Sequence, residues 1–180
     1  KPMVRIGKKP ILEYQINTLK ENKITDIWII TGPLHEIIED YFGDGSKWGV
    51  RIHYFIEQQA MGTGGALFFL KQELKNDFFL LFGDIFFDID LKRMIEFHRR
   101  RQASITLFAH PNSHPADSDL VILDEEQRVN HILRKNEPRI EYYKNMVNGG
   151  IYCFHVCVLD SILKAGYLDL EKELIFPRIQ

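Results

Sequence analysis

Apolar residues along this chain change period repeatedly, from helical spacing to the short runs of strands and back. Leu12, Ile16 and Leu19 form a stripe that predicts a helix from Pro10, placed as a first helical residue, to about Asn22. "DIWIIT" (Asp26 to Thr31) is nearly all apolar and predicts a strand covered on both faces. "LHEIIEDYF" is helical, "GDGSKWG" is a loop, and "RIHYFI" alternates β-branched and aromatic residues as a strand does. A helix is predicted from Ala66 to Leu74, a buried strand over "DFFLLF", a helix over "LKRMIEFHRRRQ" and a strand over "ASITLFA". This alternation argues for one α/β domain over residues 1–180, with a largely parallel sheet between helices. The last third differs. "DLVILDEEQRVNHIL" reads as two strands around a polar turn, "MVNGGIYCFH" as another strand and "VLDSILKAG" as a helix ending at Gly166, so the later strands are expected to form a small attached subsheet.

Composition narrows the function. With 180 residues, 45% of them hydrophobic, the chain can bury one sizeable core. A net charge of −2 gives no global basic field for a nucleic acid, and the cluster His98 to Arg101 is explained by closing a helix. No apolar run nears the roughly 20 residues that span a bilayer. Cys153 and Cys157 stand four apart without a second pair, which fits neither a zinc site nor a disulfide framework, and a reducing cytoplasm is the expected setting.

Three segments carry candidate chemistry. "EQQAMGTGGA" (Glu57 to Ala66) joins a strand to a helix with three glycines, so backbone N–H groups could meet an anionic or planar polar ligand; a tight turn with close helix–sheet packing explains the same glycines. Asp84 follows a buried strand, at the edge where open sheets bind ligands, and could hold Mg²⁺; capping a turn is the alternative. Asp88 and Asp90 read as caps of the next helix. "NGG" (Asn148 to Gly150) reads equally as a bulge, a kink or a close approach by a ligand, and Lys135 could meet a phosphate. "HPNSHPADSD" (His110 to Asp119) lacks zinc-site spacing and is expected to be a surface or substrate-facing loop.

"KPMVRIGKKPILEYQINTL", "EQQAMGTGGAL", "LLFGDIFFDIDLKRMIEFH" and "VNGGIYCFH" resemble, in that order, the blocks of the sugar-1-phosphate nucleotidyltransferases, above all the bacterial guanylyltransferases of D-glycero-D-manno-heptose 1-phosphate and mannose 1-phosphate. The resemblance implies a Rossmann-like three-layer α/β/α fold with a mixed, mostly parallel sheet. It implies substrates NTP and a sugar 1-phosphate, products NDP-sugar and pyrophosphate, and Mg²⁺ as cofactor. It places Glu57, Gly62, Thr63 and Gly65 against the base, so that a side chain at position 65 would intrude there; Asp84 on the metal; Lys1 among the catalytic groups; and Lys135, Asn148 and Gly149 beside the sugar phosphate. It also allows a homo-oligomer, and a fused phosphatase domain of the haloacid dehalogenase type. The family's arginine-bearing triphosphate loop would precede Lys1, a further metal carboxylate has no counterpart before Gln180, and Arg134 stands where many members carry Glu. A non-catalytic nucleotide-sugar-binding domain of the same fold is the alternative.

Overall fold

The structure is a computed structural model that describes residues 1–33 and 35–179, the side chain of Pro115 excepted. Leu34, counted above in a helix, and Gln180 lie outside the described residues. Two short strands, β1 (Arg5–Ile6) and β2 (Lys9–Pro10), pair antiparallel and lead into helix α1 (Ile11–Glu21). Pro10 caps this helix from outside, one position earlier than its sequence placement. The first turn of α1 finds its partners upstream: Ile11 N–H donates to Val4 O and Leu12 N–H to Pro2 O. Helix α2 (His35–Phe42) follows strand β3 (Asp26–Thr31), which pairs in parallel with β4 (Arg51–Ile56). Leu12, Ile16, Ile29, Phe42 and Ile52 close the core between these elements.

The second sheet holds β5 (Phe78–Leu81), β6 (Ile105–Pro111) and β9 (Met146–Phe154). Strand β9 lies between the other two and runs antiparallel to both, so β5 and β6 run parallel to each other. The sheet structure is therefore mixed, with β3–β4 the directly bonded parallel pair. The small subsheet is β7 (Leu120–Leu123) with β8 (Val129–Leu133), an antiparallel hairpin whose turn is closed by the Asp124 carboxylate accepting from the Glu126 and Arg128 N–H groups. Strand β9, expected in that subsheet, is instead the centre of the main one. Its Tyr152 and Phe154 are fully buried against Leu170 and Leu174.

Helix α4 (Leu91–Arg100) is the best match to expectation. Asp90 accepts from Arg93 N–H at its start, and His98, Arg99 and Arg100 fill its last turn. Two other helices are shorter than expected. Helix α3 covers only Leu67–Leu70, and in place of the helix expected over "VLDSILKAG" a 3₁₀ helix at Val156–Ser161 starts two residues earlier and ends before Ile162, which is extended and buried in the core. Strand β3 also departs from full burial: Ile30 is 42% exposed, because among the described residues β3 has a hydrogen-bonded neighbour on one edge only. No described helix is long and apolar enough to cross a membrane.

Candidate active site

The residues singled out from the sequence are linked by contacts at the end of β5. After Leu81 the chain turns at Gly83 and Asp84, and this turn is fixed from below by Gln15 of α1. Gln15 is 5% exposed, and its Nε2 donates to Phe82 O at 2.9 Å and Ile85 O at 2.7 Å, one carbonyl on each side of the turn. Lys1 reaches the same place: its Nζ lies 3.7 Å from Asp84 Oδ2, with Pro2 against Gly83. Both side chains are open to solvent, so their attraction is weak and a polyanion can come between them.

Phe82 N–H donates to Gly150 O, which ties the Asp84 turn to the glycine pair in β9. Here β9 bulges: the register with β6 shifts between Leu107 and Ala109, and Gly150 takes φ +72°. Asn148 is held on three sides. Its Oδ1 accepts from Gly150 N–H, and its Nδ2 donates to Tyr152 Oη and, at 2.8 Å, to Glu171 Oε1. Burial and the Glu171 carboxylate raise the pKa of the Tyr152 phenol, so it stays a neutral donor and acceptor in this cluster.

Glu171 is the second residue of a π-helical turn, Leu170–Ile175, whose first N–H, that of Leu170, donates to Thr63 Oγ1 at 2.8 Å. The glycine turn after β4 and the Asn148 bulge are thereby fastened to one segment. The turn rests on that segment throughout: Gly64 N–H donates to Leu168 O, and a Cβ on Gly62 would lie 2.5 Å from the same carbonyl oxygen. A Cβ on Gly65 would lie 2.3 Å from Gly166 O and 2.4 Å from Met61 O. The expectation that a side chain at position 65 would intrude on a bound base is corrected accordingly, since the space is filled by the chain's own backbone. Gly65 is buried and donates its N–H to Met61 O, shaping the turn from inside; Gly62 and Thr63 supply the exposed face.

Glu57 leaves β4 at the mouth of this turn, with its N–H donated to Thr31 O. Burial pushes its carboxyl pKa up, opposed by a hydrogen bond from Met61 N–H. Lys135 stands apart. Its N–H donates to Asp119 Oδ1, while Arg134 bonds Asp119 Oδ2 at 2.7 Å and stacks on Phe176 at 4.2 Å. Among the described residues no hydrogen bond or ion pair joins Lys135 to the other members. Arg134, flagged in the sequence only for standing in place of Glu, thus locks the end of β8 to the C-terminal segment.

Two residues of the site were not singled out from the sequence. Gln15 left a signal, a polar residue set between Leu12 and Ile16 on the apolar stripe of a helix. Glu171 left none, because it is one of four charged residues interleaved with apolar ones in "DLEKELIF" and nothing local sets it apart. Of the segment expected to be a loop from His110 to Asp119, His110 and Pro111 instead finish β6, paired with Val147 and Met146, and the loop that follows is organised by Asn112, whose Oδ1 accepts from His114 N–H; among the described residues no group of three or more acidic, His or Cys side chains could hold a metal.

Comparison with known proteins places the chain in a family. The sequence profile of the family described as Nucleotidyl transferase matches residues 1–175. The chain is 31% identical to a mannose-1-phosphate guanylyltransferase of Mycobacterium tuberculosis over 99% of its own length and 49% of that protein's. It is 32% identical to the D-glycero-alpha-D-manno-heptose 1-phosphate guanylyltransferase of Campylobacter jejuni, covering 84% of this chain and 65% of the other. The chain thus spans about half the length of the first of these relatives. The crystal structure of HddC from Yersinia pseudotuberculosis superposes with a TM-score of 0.81 at 19% identity, over 99% of this chain and 76% of that one, a likeness of fold. With nearly its whole length matched in sequence and its fold shared, this chain belongs to the nucleotidyl transferase family.

Proposed function

We propose that this chain forms the nucleotidyltransferase domain of an enzyme that joins GTP to a mannose-type or D-glycero-D-manno-heptose 1-phosphate, giving GDP-sugar and pyrophosphate. The observation that carries the choice of base is Glu57 at the mouth of the glycine turn. Guanine presents two adjacent donors, N1–H and N2–H₂, which match the two oxygens of a carboxylate. Uracil and thymine present one N–H between two carbonyl oxygens, which a carboxylate repels. The guanylyltransferase names of the relatives point the same way.

In the reaction, a sugar phosphate oxygen attacks the α-phosphorus in line and pyrophosphate leaves, so the protein's task is positioning and charge neutralisation. Gly62 and Thr63 present the exposed face of the turn to the base. Asn148, held by Glu171 and Tyr152, faces the sugar with Gly149 beside it, and Lys135 approaches the sugar phosphate. The Lys1 ammonium offsets phosphate charge next to Asp84. Asp84 offers a hard, exposed oxygen ligand, which suits Mg²⁺, a cation that keeps water ligands and takes others from phosphates. Mg²⁺ bound there would supply further neutralisation of the phosphate oxygens.

The test is pyrophosphate release by the full-length gene product, with GTP, UTP and dTTP each paired with mannose, heptose and glucose 1-phosphates. GTP with a mannose-type or heptose phosphate is expected to lead by at least ~10-fold, the scale of one hydrogen bond to a charged group. Asp84→Asn is expected to lower turnover at least ~100-fold while leaving the melting curve unchanged. Turnover with UTP or dTTP alone would overturn the guanylyl assignment. Tight GDP-sugar binding without turnover under any pairing would identify a regulatory binding domain instead.

A further inference from the structure

The contacts of Lys1 and Asp84 do not by themselves explain why the two meet. Both side chains stand in solvent, 85% and 44% exposed, so packing does not hold them and their separation is carried by the backbone turns they stand on. Asp84 is third in the four-residue turn Phe82 to Ile85, whose closing bond, from Ile85 N–H to Phe82 O, is 3.4 Å long. The usual range is about 2.7–3.2 Å, and a turn closed so loosely leaves the direction of its third residue free.

Gln15 closes that turn from outside. Its Nε2 carries two hydrogens and meets the first and last carbonyls of the turn, Phe82 O at 2.9 Å and Ile85 O at 2.7 Å. The residue is 5% exposed, so water has little access to take its place.

The turn beneath Lys1 is mounted on the same stretch of helix. Val4 N–H donates to Lys1 O at 2.9 Å, which closes the turn Lys1 to Val4, and that turn is bonded to α1 through Leu12 N–H to Pro2 O and Ile11 N–H to Val4 O. Ile11 and Leu12 stand four and three residues before Gln15, within one turn of α1. One turn of one helix thus carries both members of the pair, although they are distant in sequence.

We infer that Gln15 is a positioning residue of the transfer reaction: by clamping the Phe82 to Ile85 turn to α1 it sets the separation of the Lys1 ammonium and the Asp84 carboxylate, and with it how the pair receives a polyphosphate and its Mg²⁺. The inference rests on the roles proposed above for Lys1 and Asp84. Held closer, the two charges would satisfy each other; held further apart, they would no longer face one phosphate chain. Gln15 itself touches neither substrate nor metal.

The test uses the full-length gene product with Gln15→Met, which keeps the length of the side chain and removes its donors, and Gln15→Asn, which keeps the donors and shortens their reach. Either variant that still melts cooperatively carries it. Without ligand, amide hydrogen exchange at residues 83–86 is expected to quicken at least ~10-fold, with β3 and β4 unchanged. GTP affinity in the absence of Mg²⁺ should match wild type, because the glycine turn is untouched. The gain in GTP affinity on adding Mg²⁺ should shrink about tenfold, and kcat should fall about tenfold or more at unchanged KM for the sugar phosphate, the scale of a small misplacement of groups around a reacting centre. In an Asp84→Asn background neither variant should lower the Mg²⁺ gain or kcat further, since the carboxylate that Gln15 aims is already gone. A purely structural role would instead add its full loss in both backgrounds. Unchanged exchange at residues 83–86, an unchanged Mg²⁺ gain, or an equal further loss beside Asp84→Asn would each overturn the assignment of Gln15 and leave the proposed function standing. Absence of turnover by the wild type under every substrate pairing would overturn the proposed function and this inference with it.

Discussion

The two glycine-rich segments of the site, Met61 to Ala66 and Asn148 to Gly150, look alike in composition and are constrained by different kinds of atom. In the first, the atoms nearest an added Cβ at Gly62 and Gly65 are backbone carbonyl oxygens of Leu168, Gly166 and Met61, while at Gly64 the nearest is the Leu168 side chain. In the second they are mainly ring edges: a Cβ on Gly149 would meet Phe108 Cδ1 at 2.8 Å, and one on Gly150 would meet Phe82 Cδ2 at 2.9 Å. A backbone oxygen tied into a hydrogen-bonded segment has nowhere to go, whereas a phenyl ring can turn within a partly buried setting. The turn is therefore rigid by construction. The bulge can adjust, which suits a face that must fit a sugar.

The largest effect expected from this difference is that of Gly65→Ala, which drives a methyl group into two fixed carbonyl oxygens. A loss of about 4 kcal/mol or more is expected in urea unfolding, the range of severe core lesions. A loss below ~1 kcal/mol would show that the turn can part from residues 166–168 and would break the comparison.

Gly149→Ala should cost less, about 1–3 kcal/mol, as overpacking does where the neighbour can move. Its φ is not in the left-handed region, so the cost is steric contact, chiefly with the Phe108 ring and less closely with Phe108 O and the His110 ring. A loss equal to that of Gly65→Ala would erase the distinction between ring and backbone.

Glu171 links the regions, and its removal sharpens what each contributes. Glu171→Ala frees the Asn148 amide without touching the glycine turn. It should raise KM for the sugar phosphate and lower kcat/KM about tenfold, or about 1.4 kcal/mol. Glu171→Gln, which keeps an acceptor for Asn148 Nδ2, should restore most of the loss. An effect on GTP affinity of the same size would assign Glu171 to the nucleotide side instead.

The smallest effect concerns Glu57. Its folded pKa is raised by burial, so its ionised form is disfavoured in the fold, and the associated stabilisation of the protonated form is lost as pH rises through that raised pKa. Guanine needs the ionised form as acceptor, so GTP affinity should weaken on acidification at a higher pH than for an ordinary glutamate. Glu57→Gln should remove that pH dependence and reduce the preference for GTP over UTP roughly fivefold, about 1 kcal/mol. Titrations of both nucleotides between pH 4.5 and 7 in the variant and wild type, roughly the interval around the carboxylate range, would show it.

Much of the molecule was legible before its structure. The Asp90 cap and basic last turn of α4, the β7–β8 hairpin and the place of Asp84 just after a strand are all local, and local patterns follow from backbone geometry and from side chains a few residues apart, whereas the full burial expected of that strand is not met, since β5 is half-buried throughout. The resemblance put Lys1 among the catalytic groups and Asp84 on a metal without relating the two, and it is the structure that sets their side chains 3.7 Å apart. The length of α3 and the end of the 3₁₀ helix before Ile162 were not legible, since both are set by burial against distant residues.

By itself, then, the sequence determined the alternation of helix and strand, the placement of glycines where no side chain fits, and the carboxylates at strand ends. What fills the space over those glycines was decided only by tertiary structure. Leu168 and Leu170 lie about a hundred residues from the glycine turn, near enough to bond Gly64 and Thr63 only because Tyr152, Phe154, Leu170 and Leu174 bury one another. In the same way, Gln15 reaches the Asp84 turn from α1, and Glu171 reaches Asn148 from the C-terminal segment. No period or motif records such pairs. They are formed by packing of the apolar core, which brings polar groups into reach and leaves them to satisfy one another away from water.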